Sequence, residues 1–197
     1  MDAVAAFDAW LFKQINGWVG AFPLLDRFMS TMVNEYFITV TLSLVLVGLW
    51  FVGRSPDGRR VNQLAVLYAL LAQVAANGIV RVSNLLYYRP RPFAAMPVQM
   101  LFYEPTDSSL PSNPAAVGFA FATAVWLINR RVGAVLYALA TIFAVSRVYC
   151  GVHYPLDVVA GAAAGGAGAL IAVALGRSVL APALSRLIQL GRSLYLA

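Results

Sequence analysis

Long apolar runs separated by short, arginine-bearing breaks set the pattern of this chain. They cover about residues 37–52, 61–87, 115–128, 132–145 and 156–175. Each is near the ~20 residues that an α-helix needs to cross a bilayer, with flanking residues completing the shorter ones. The second run is apolar as far as Val80 and then gains Arg81, Ser83 and Asn84. The last carries Gly161, Gly165, Gly166 and Gly168 among alanines, and such small residues let a neighbouring helix come close. The pattern predicts an all-α integral membrane bundle of five transmembrane helices, or six if an N-terminal hairpin is counted.

The flanks read differently. Residues 1–34 mix apolar positions with Asp2, Asp8, Lys13, Asp26 and Arg27 and are broken at Gly17, Gly20 and Pro23. They lack the charged-then-apolar order of a cleavable signal peptide. Ala5, Trp10, Leu11 and Ile15 fit one face of a helix lying in the interface, with a second short helix after Pro23. Residues 177–197, with Arg186 and Arg192 among apolar stretches, read as an amphipathic surface helix. The expected organisation is one membrane domain over 1–197, made of interfacial helices (1–34), a transmembrane core (35–176) and the tail helix (177–197).

Composition agrees. The chain is 61% hydrophobic and 11% charged, with a mean hydropathy of +0.76, too apolar for a soluble domain of this size. The net charge of +6 comes from arginines at helix ends and in loops, which makes membrane lipids the expected partner and argues against nucleic acid. Arg54, Arg59 and Arg60, then Arg130 and Arg131, then Arg177, Arg186 and Arg192 fall on one side of a five-span bundle, and the positive-inside tendency makes that side cytoplasmic. Loops 88–112 and 148–155 then share the extracytoplasmic face of the cell membrane. Cys150 is the sole cysteine, so no internal disulfide forms, and it is best read as a small buried hydrophobe.

The candidate chemistry lies in the second of those loops. The stretch Ser146-Arg147-Val148-Tyr149-Cys150-Gly151-Val152-His153-Tyr154-Pro155-Leu156-Asp157 places the only histidine between an arginine and an aspartate. Pro155 favours a helix start, so His153 precedes that helix and Asp157 lies in its first turn. From there the carboxylate can hold one imidazole nitrogen and leave the other free as a nucleophile. Unpaired N–H groups at the helix start and the Arg147 guanidinium favour a phosphate anion. The reading is attack on phosphorus.

Ser-Arg, five residues, His, three residues, Asp resembles the third signature of the type 2 phosphatidic acid phosphatase superfamily, whose members also resemble vanadium haloperoxidases. The match is complete at Ser146, Arg147, His153 and Asp157. The resemblance implies a phosphohistidine at His153, orientation by Asp157 and a phosphate clamp at Arg147, with no metal and no cofactor. Phe12, Ile15-Asn16 and Phe22-Pro23-Leu24-Leu25-Asp26 resemble the opening of the bacitracin-resistance type of undecaprenyl diphosphate phosphatase, and the likeness extends over residues 10–176.

Two partial signatures lie in the other outer loop. Tyr88-Arg89-Pro90-Arg91-Pro92-Phe93 places Arg91 on the family's phosphate-binding arginine and Asn84 on the lysine seven positions before it, with Arg89 or Arg81 as replacement cations. Pro111-Ser112-Asn113-Pro114 stands where the family has proline, serine, glycine and histidine. Ser112 matches and is expected to bind phosphate, Asn113 replaces the glycine, and Pro114 replaces the histidine that protonates the leaving group.

That replacement bears on the substrate. An alkoxide leaving from a monoester needs a proton donor, worth roughly 10²–10⁴ in rate. A phosphate monoester leaving from a diphosphate, with a second pKa of about 6, does not. The expected activity is hydrolysis of a polyprenyl diphosphate to its monophosphate, with Asp107 or Glu104 as candidate substitute acids. A silent relative that binds, senses or helps to move lipid phosphates, and a lipid-to-lipid phosphotransferase, remain open. No histidine, cysteine or carboxylate set has metal-ligand spacing.

Overall fold

A computed structural model describes residues 3–194, which form nine helices and, among the described residues, no strand. In chain order they are α1 (Ala3–Asn16), α2 (Pro23–Met32), α3 (Glu35–Phe51), α4 (Pro56–Leu86), α5 (Pro92–Ala95), α6 (Asn113–Trp126), α7 (Arg130–Tyr149), α8 (Pro155–Ser178) and α9 (Ala181–Ser193). Every apolar run becomes a helix, and the breaks supply the caps. Asn34 accepts from the N–H groups of Tyr36 and Phe37, Ser55 from Gly58, and Asn129 from Val132.

By length and composition, α4, α7 and α8 can each cross a membrane, and α2 with α3, bent by 64° at the break between them, makes up to four spans among the described residues. At 17 and 14 residues, α3 and α6 are as long as their apolar runs and short of the ~20 residues that a helix needs to cross a bilayer alone. Outward faces carry exposed apolar side chains such as Leu44, Val47, Leu70, Val74, Leu170 and Ile171, as contact with lipid tails requires.

Some boundaries differ from the expectation. Because no helix breaker occurs before Gly151, α7 runs on beyond residue 145 and carries Ser146 and Arg147 in its last turn. The tail helix begins at Ala181, since α8 continues through Arg177; residues 1–2 and 195–197 of the expected end segments lie outside the described residues. The four-residue α5 has no periodicity by which sequence could find it.

The core is α8 packed against α4 and α6. A Cβ on Gly161 would stand 2.3 Å from the Ser112 carbonyl oxygen, and one on Gly165 the same distance from that of Ala116, so only glycine lets α8 lie this close to α6. Their first turns are thereby joined, the Ser112 N–H donating to the Asp157 carbonyl oxygen over 2.9 Å. At the same end α1 is pinned by Asn16, which donates to the carbonyl oxygens of Gln99 and Tyr149, each over 2.8 Å.

Candidate active site

The turn between α7 and α8 folds back on its own arginine. Gly151 takes a φ of +88°, which favours glycine, and the N–H groups of Val152 and His153 both donate to the Arg147 carbonyl oxygen, over 3.1 and 3.3 Å. His153 is thus set beside Arg147 and is fully buried.

The ring's partners define its protonation. Nδ1 lies 2.9 Å from the Ser109 carbonyl oxygen, which can only accept, so Nδ1 carries the hydrogen. Nε2 lies 3.2 Å from Nη1 of Arg91, which can only donate, so Nε2 presents its lone pair. Arg91 is fixed there by hydrogen bonds from Nη1 to the Val152 carbonyl oxygen (2.8 Å), from Nη2 to the Asp107 carboxylate (2.7 Å) and from Nε to the Asp107 carbonyl oxygen (3.0 Å). Burial, reinforced by the charges of Arg147 and Arg91 and opposed by Asp157, pushes the imidazole down to about 4.

A test follows directly, because the chain has a single histidine. Nitrogen NMR of ¹⁵N-histidine-labelled protein in detergent is expected to show a neutral, Nδ1-protonated ring from pH 7 to pH 5, titrating near 4. Between that value and the ordinary 6.5 the unfolded chain binds the extra proton, so this group's contribution to stability is complete above 6.5 and declines as pH falls through the window. A ring titrating near 6.5 would remove the buried, arginine-flanked geometry.

Asp157 acts through an intermediary that the sequence did not reveal. Its Oδ2 lies 3.8 Å from Nδ1, a charge-pair separation if the ring is protonated, not a hydrogen bond. That oxygen instead accepts from the Ser109 hydroxyl (2.5 Å) and the Tyr154 N–H (2.8 Å), while Oδ1 accepts from Arg89 (2.5 Å). The expectation of a direct carboxylate–imidazole hydrogen bond is therefore corrected: Ser109 binds both groups, by its carbonyl oxygen and by its hydroxyl.

Arg89 requires a second correction. Its other arm meets Asp8 of α1 at 2.6 Å and its guanidinium stacks 4.2 Å over the Tyr154 ring, so it neutralises two buried carboxylates instead of offering a free fork to phosphate. Asp8 also accepts from the Leu156 N–H at the start of α8 (2.8 Å), tying α1 to the site.

The remaining candidates divide. Arg147 is 2% exposed, donates to the Val33 carbonyl oxygen (3.2 Å), lies 5.2 Å over the Phe102 ring and keeps a buried Nε without a hydrogen-bond partner. Ser112 occupies the N-cap position of α6 without a side-chain capping bond, and its buried hydroxyl is likewise unpaired. These are donors awaiting an acceptor. Asn113 is exposed in the first turn of α6. Asn84, with a buried and unpaired side-chain oxygen, has no hydrogen bond to the cradle among the described residues, and Arg81 is exposed. Asp107 is held by Arg91, and Glu104 lines a separate cavity of about 250 Å³ beside that pair.

Sequence reasoning did not reach Ser109, Asp8 and Tyr154. Asp8 alone left a signal, the single carboxylate among the apolar residues of the first turns of α1. Ser109 works partly through its backbone, which no residue pattern marks.

A helical bundle whose loops at one end gather a lone, uncharged imidazole between two buried arginines defines a membrane phosphatase of lipid phosphates. The chain belongs to the PAP2 superfamily, whose model matches residues 64–179. It is 32% identical over 148 residues to undecaprenyl-diphosphatase BcrC of Bacillus subtilis, covering 75% of this chain and 73% of that one. It is also 32% identical over 163 residues to the putative undecaprenyl-diphosphatase YbjG of Escherichia coli, covering 82% and 79%. Among solved structures, Aquifex aeolicus LpxE superposes with a TM-score of 0.65 at 28% identity, covering 83% of this chain and 92% of that one. A PAP2 type phosphatidylglycerolphosphate phosphatase from Bacillus subtilis also gives 0.65, at 20% identity over 91% and 89%, a likeness of fold alone.

Proposed function

We propose that this protein hydrolyses a polyprenyl diphosphate to the monophosphate at the outer membrane interface, through a phosphohistidine and without a metal. The observation that carries the reading is the protonation pattern of His153, with Nδ1 donating to Ser109 and the Nε2 lone pair directed at an arginine. In the first step Nε2 attacks the terminal phosphorus as the bond to the bridging oxygen breaks, and the electron pair leaves with the lipid monophosphate. Arg91 and Arg147 supply the positive charge that the phosphoryl oxygens need.

The diphosphate is favoured by position 114. Proline there has no proton to give, which matters for an alkoxide and little for a leaving phosphate whose second pKa is about 6. The two relatives named for undecaprenyl diphosphate support the same class of substrate. The outward orientation is supported by the arginines at the opposite end of the bundle, where Arg60 donates to Ser185 (3.0 Å) and Arg192 to the Pro56 carbonyl oxygen (3.2 Å).

A panel of lipid mono- and diphosphates, assayed in detergent with a chelator present, tests this. Prenyl diphosphate is expected to turn over at least 100-fold faster than phosphatidic acid, on the order of the missing donor's worth. A faster monoester reaction would reverse the substrate assignment. Binding of both lipids with turnover of neither would make the protein a lipid-phosphate binder.

A further inference from the structure

Hydrolysis of a phosphohistidine ends with a water molecule that must lose a proton; of the site carboxylates described so far only Glu104, exposed beside the Arg91–Asp107 pair, is not engaged by a hydrogen bond or ion pair among the described residues, and the others are committed. His153 carries the phosphoryl group, Asp157 accepts three hydrogen bonds, Asp8 is paired with Arg89, and Asp107 is paired with Arg91. Position 114 holds proline.

Pro114 lines a cavity of about 190 Å³ between α3, α4, α6 and α7, together with Asn113, Gln73, Asn77, Thr39 and Glu35. Among those lining residues Glu35 is the one carboxylate. It lies in the first turn of α3, half-buried, and two residues after Val33, whose carbonyl oxygen receives Arg147. Its carboxylate is the foremost favourable charge acting on the Arg147 guanidinium, yet no ion-pair contact joins the two. The Tyr103 hydroxyl donates to Glu35 Oε1, and this contact, with burial, raises the phenol above its ordinary value and keeps that proton on Tyr103. Glu35 is thus a carboxylate with acceptor capacity to spare, two residues from the carbonyl oxygen that holds Arg147. A carboxylate is a poor ligand for phosphate and a suitable acceptor for a proton from water beside it.

We infer that Glu35 is the general base of the second half-reaction, taking the proton of the water that attacks the phosphohistidine. The new oxygen–phosphorus bond forms as the Nε2–phosphorus bond breaks, its electron pair returns to the imidazole, the proton passes to Glu35, and inorganic phosphate departs. This rests on the phosphohistidine reading above and assigns the residue that completes it.

Rapid-quench kinetics with prenyl diphosphate labelled in its terminal phosphate separate the two. In Glu35→Gln the acid-labile, alkali-stable phosphoenzyme is expected to form at the wild-type rate and to accumulate, while steady-state turnover falls on the order of 100-fold. Hydroxylamine, a nucleophile less dependent on a base, is expected to restore release of the label. Formation of the phosphoenzyme also reports that the variant is folded. Wild-type turnover in Glu35→Gln, or loss of phosphoenzyme formation in parallel with turnover, overturns the assignment. Absence of phosphoenzyme from both the wild-type protein and the variant under the same quench, while the wild type turns over, instead overturns the phosphohistidine reading beneath it.

Discussion

Replacing Asp157 with alanine is expected to destabilise the folded protein by about 1–3 kcal/mol, the usual consequence of leaving buried donors without their acceptor. The orphaned groups are identifiable. Arg89 loses its 2.5 Å contact, the Tyr154 N–H loses its acceptor at the start of α8, and the Ser109 hydroxyl is left free. Asp157→Asn separates this structural role from the catalytic one. The amide keeps one acceptor oxygen, so the melting temperature falls less, but its NH₂ must face Arg89 on one side or Ser109 and Tyr154 on the other, all donors in the present arrangement. Ser109 then shifts, and with it the carbonyl oxygen that holds Nδ1. Turnover is expected to drop on the order of 10²–10⁴, the usual worth of a correctly presented catalytic side chain. Thermal unfolding in detergent and phosphate release measured on both variants check the pair of effects; full activity in Asp157→Asn would show that Ser109 holds the ring without the carboxylate.

The same network explains what sequence could and could not reveal. Helices were legible because a bilayer imposes long apolar runs, and Arg147, His153 and Asp157 were legible because polar residues beside such runs are costly to retain. Pro155 and Gly151 announced the turn through their backbone preferences alone. Tertiary distances were not legible. Asp157 is four residues from His153, a spacing that suggests direct contact, and only the folded 97–112 segment places Ser109 between them. Arg89 and Arg91 are two residues apart with the same proline neighbour, yet the first turns to Asp8 and Asp157 and the second to the imidazole. Nothing local distinguishes them, because the difference comes from α1, some 80 residues earlier in the chain. Glu35 escaped notice for a similar reason: it belongs to the site only once α3 is packed beside α6.

Arg91→Ala is expected to lower kcat/KM for a prenyl diphosphate on the order of 10³, at the low end for an arginine that neutralises a transferring phosphoryl group. Its position makes it more than a binding charge. Nη1 sits 3.2 Å from Nε2, on the side from which phosphorus must approach, so an incoming phosphate has to draw the guanidinium from the imidazole onto its own oxygens before attack. The fork allows this exchange, since Nε and Nη2 remain anchored on Asp107 while Nη1 changes partner. A lysine has one nitrogen and cannot hold Asp107 and a phosphoryl oxygen in that geometry, so Arg91→Lys is expected to recover less than a tenth of the loss. The imidazole supplies an independent readout: the Arg91 charge helps to push His153 down to about 4, and its removal moves the titration upwards in the ¹⁵N spectrum whether or not substrate is present. Wild-type kcat/KM in Arg91→Lys would remove the exchange. An unshifted titration in Arg91→Ala would remove the contact with the ring on which it depends.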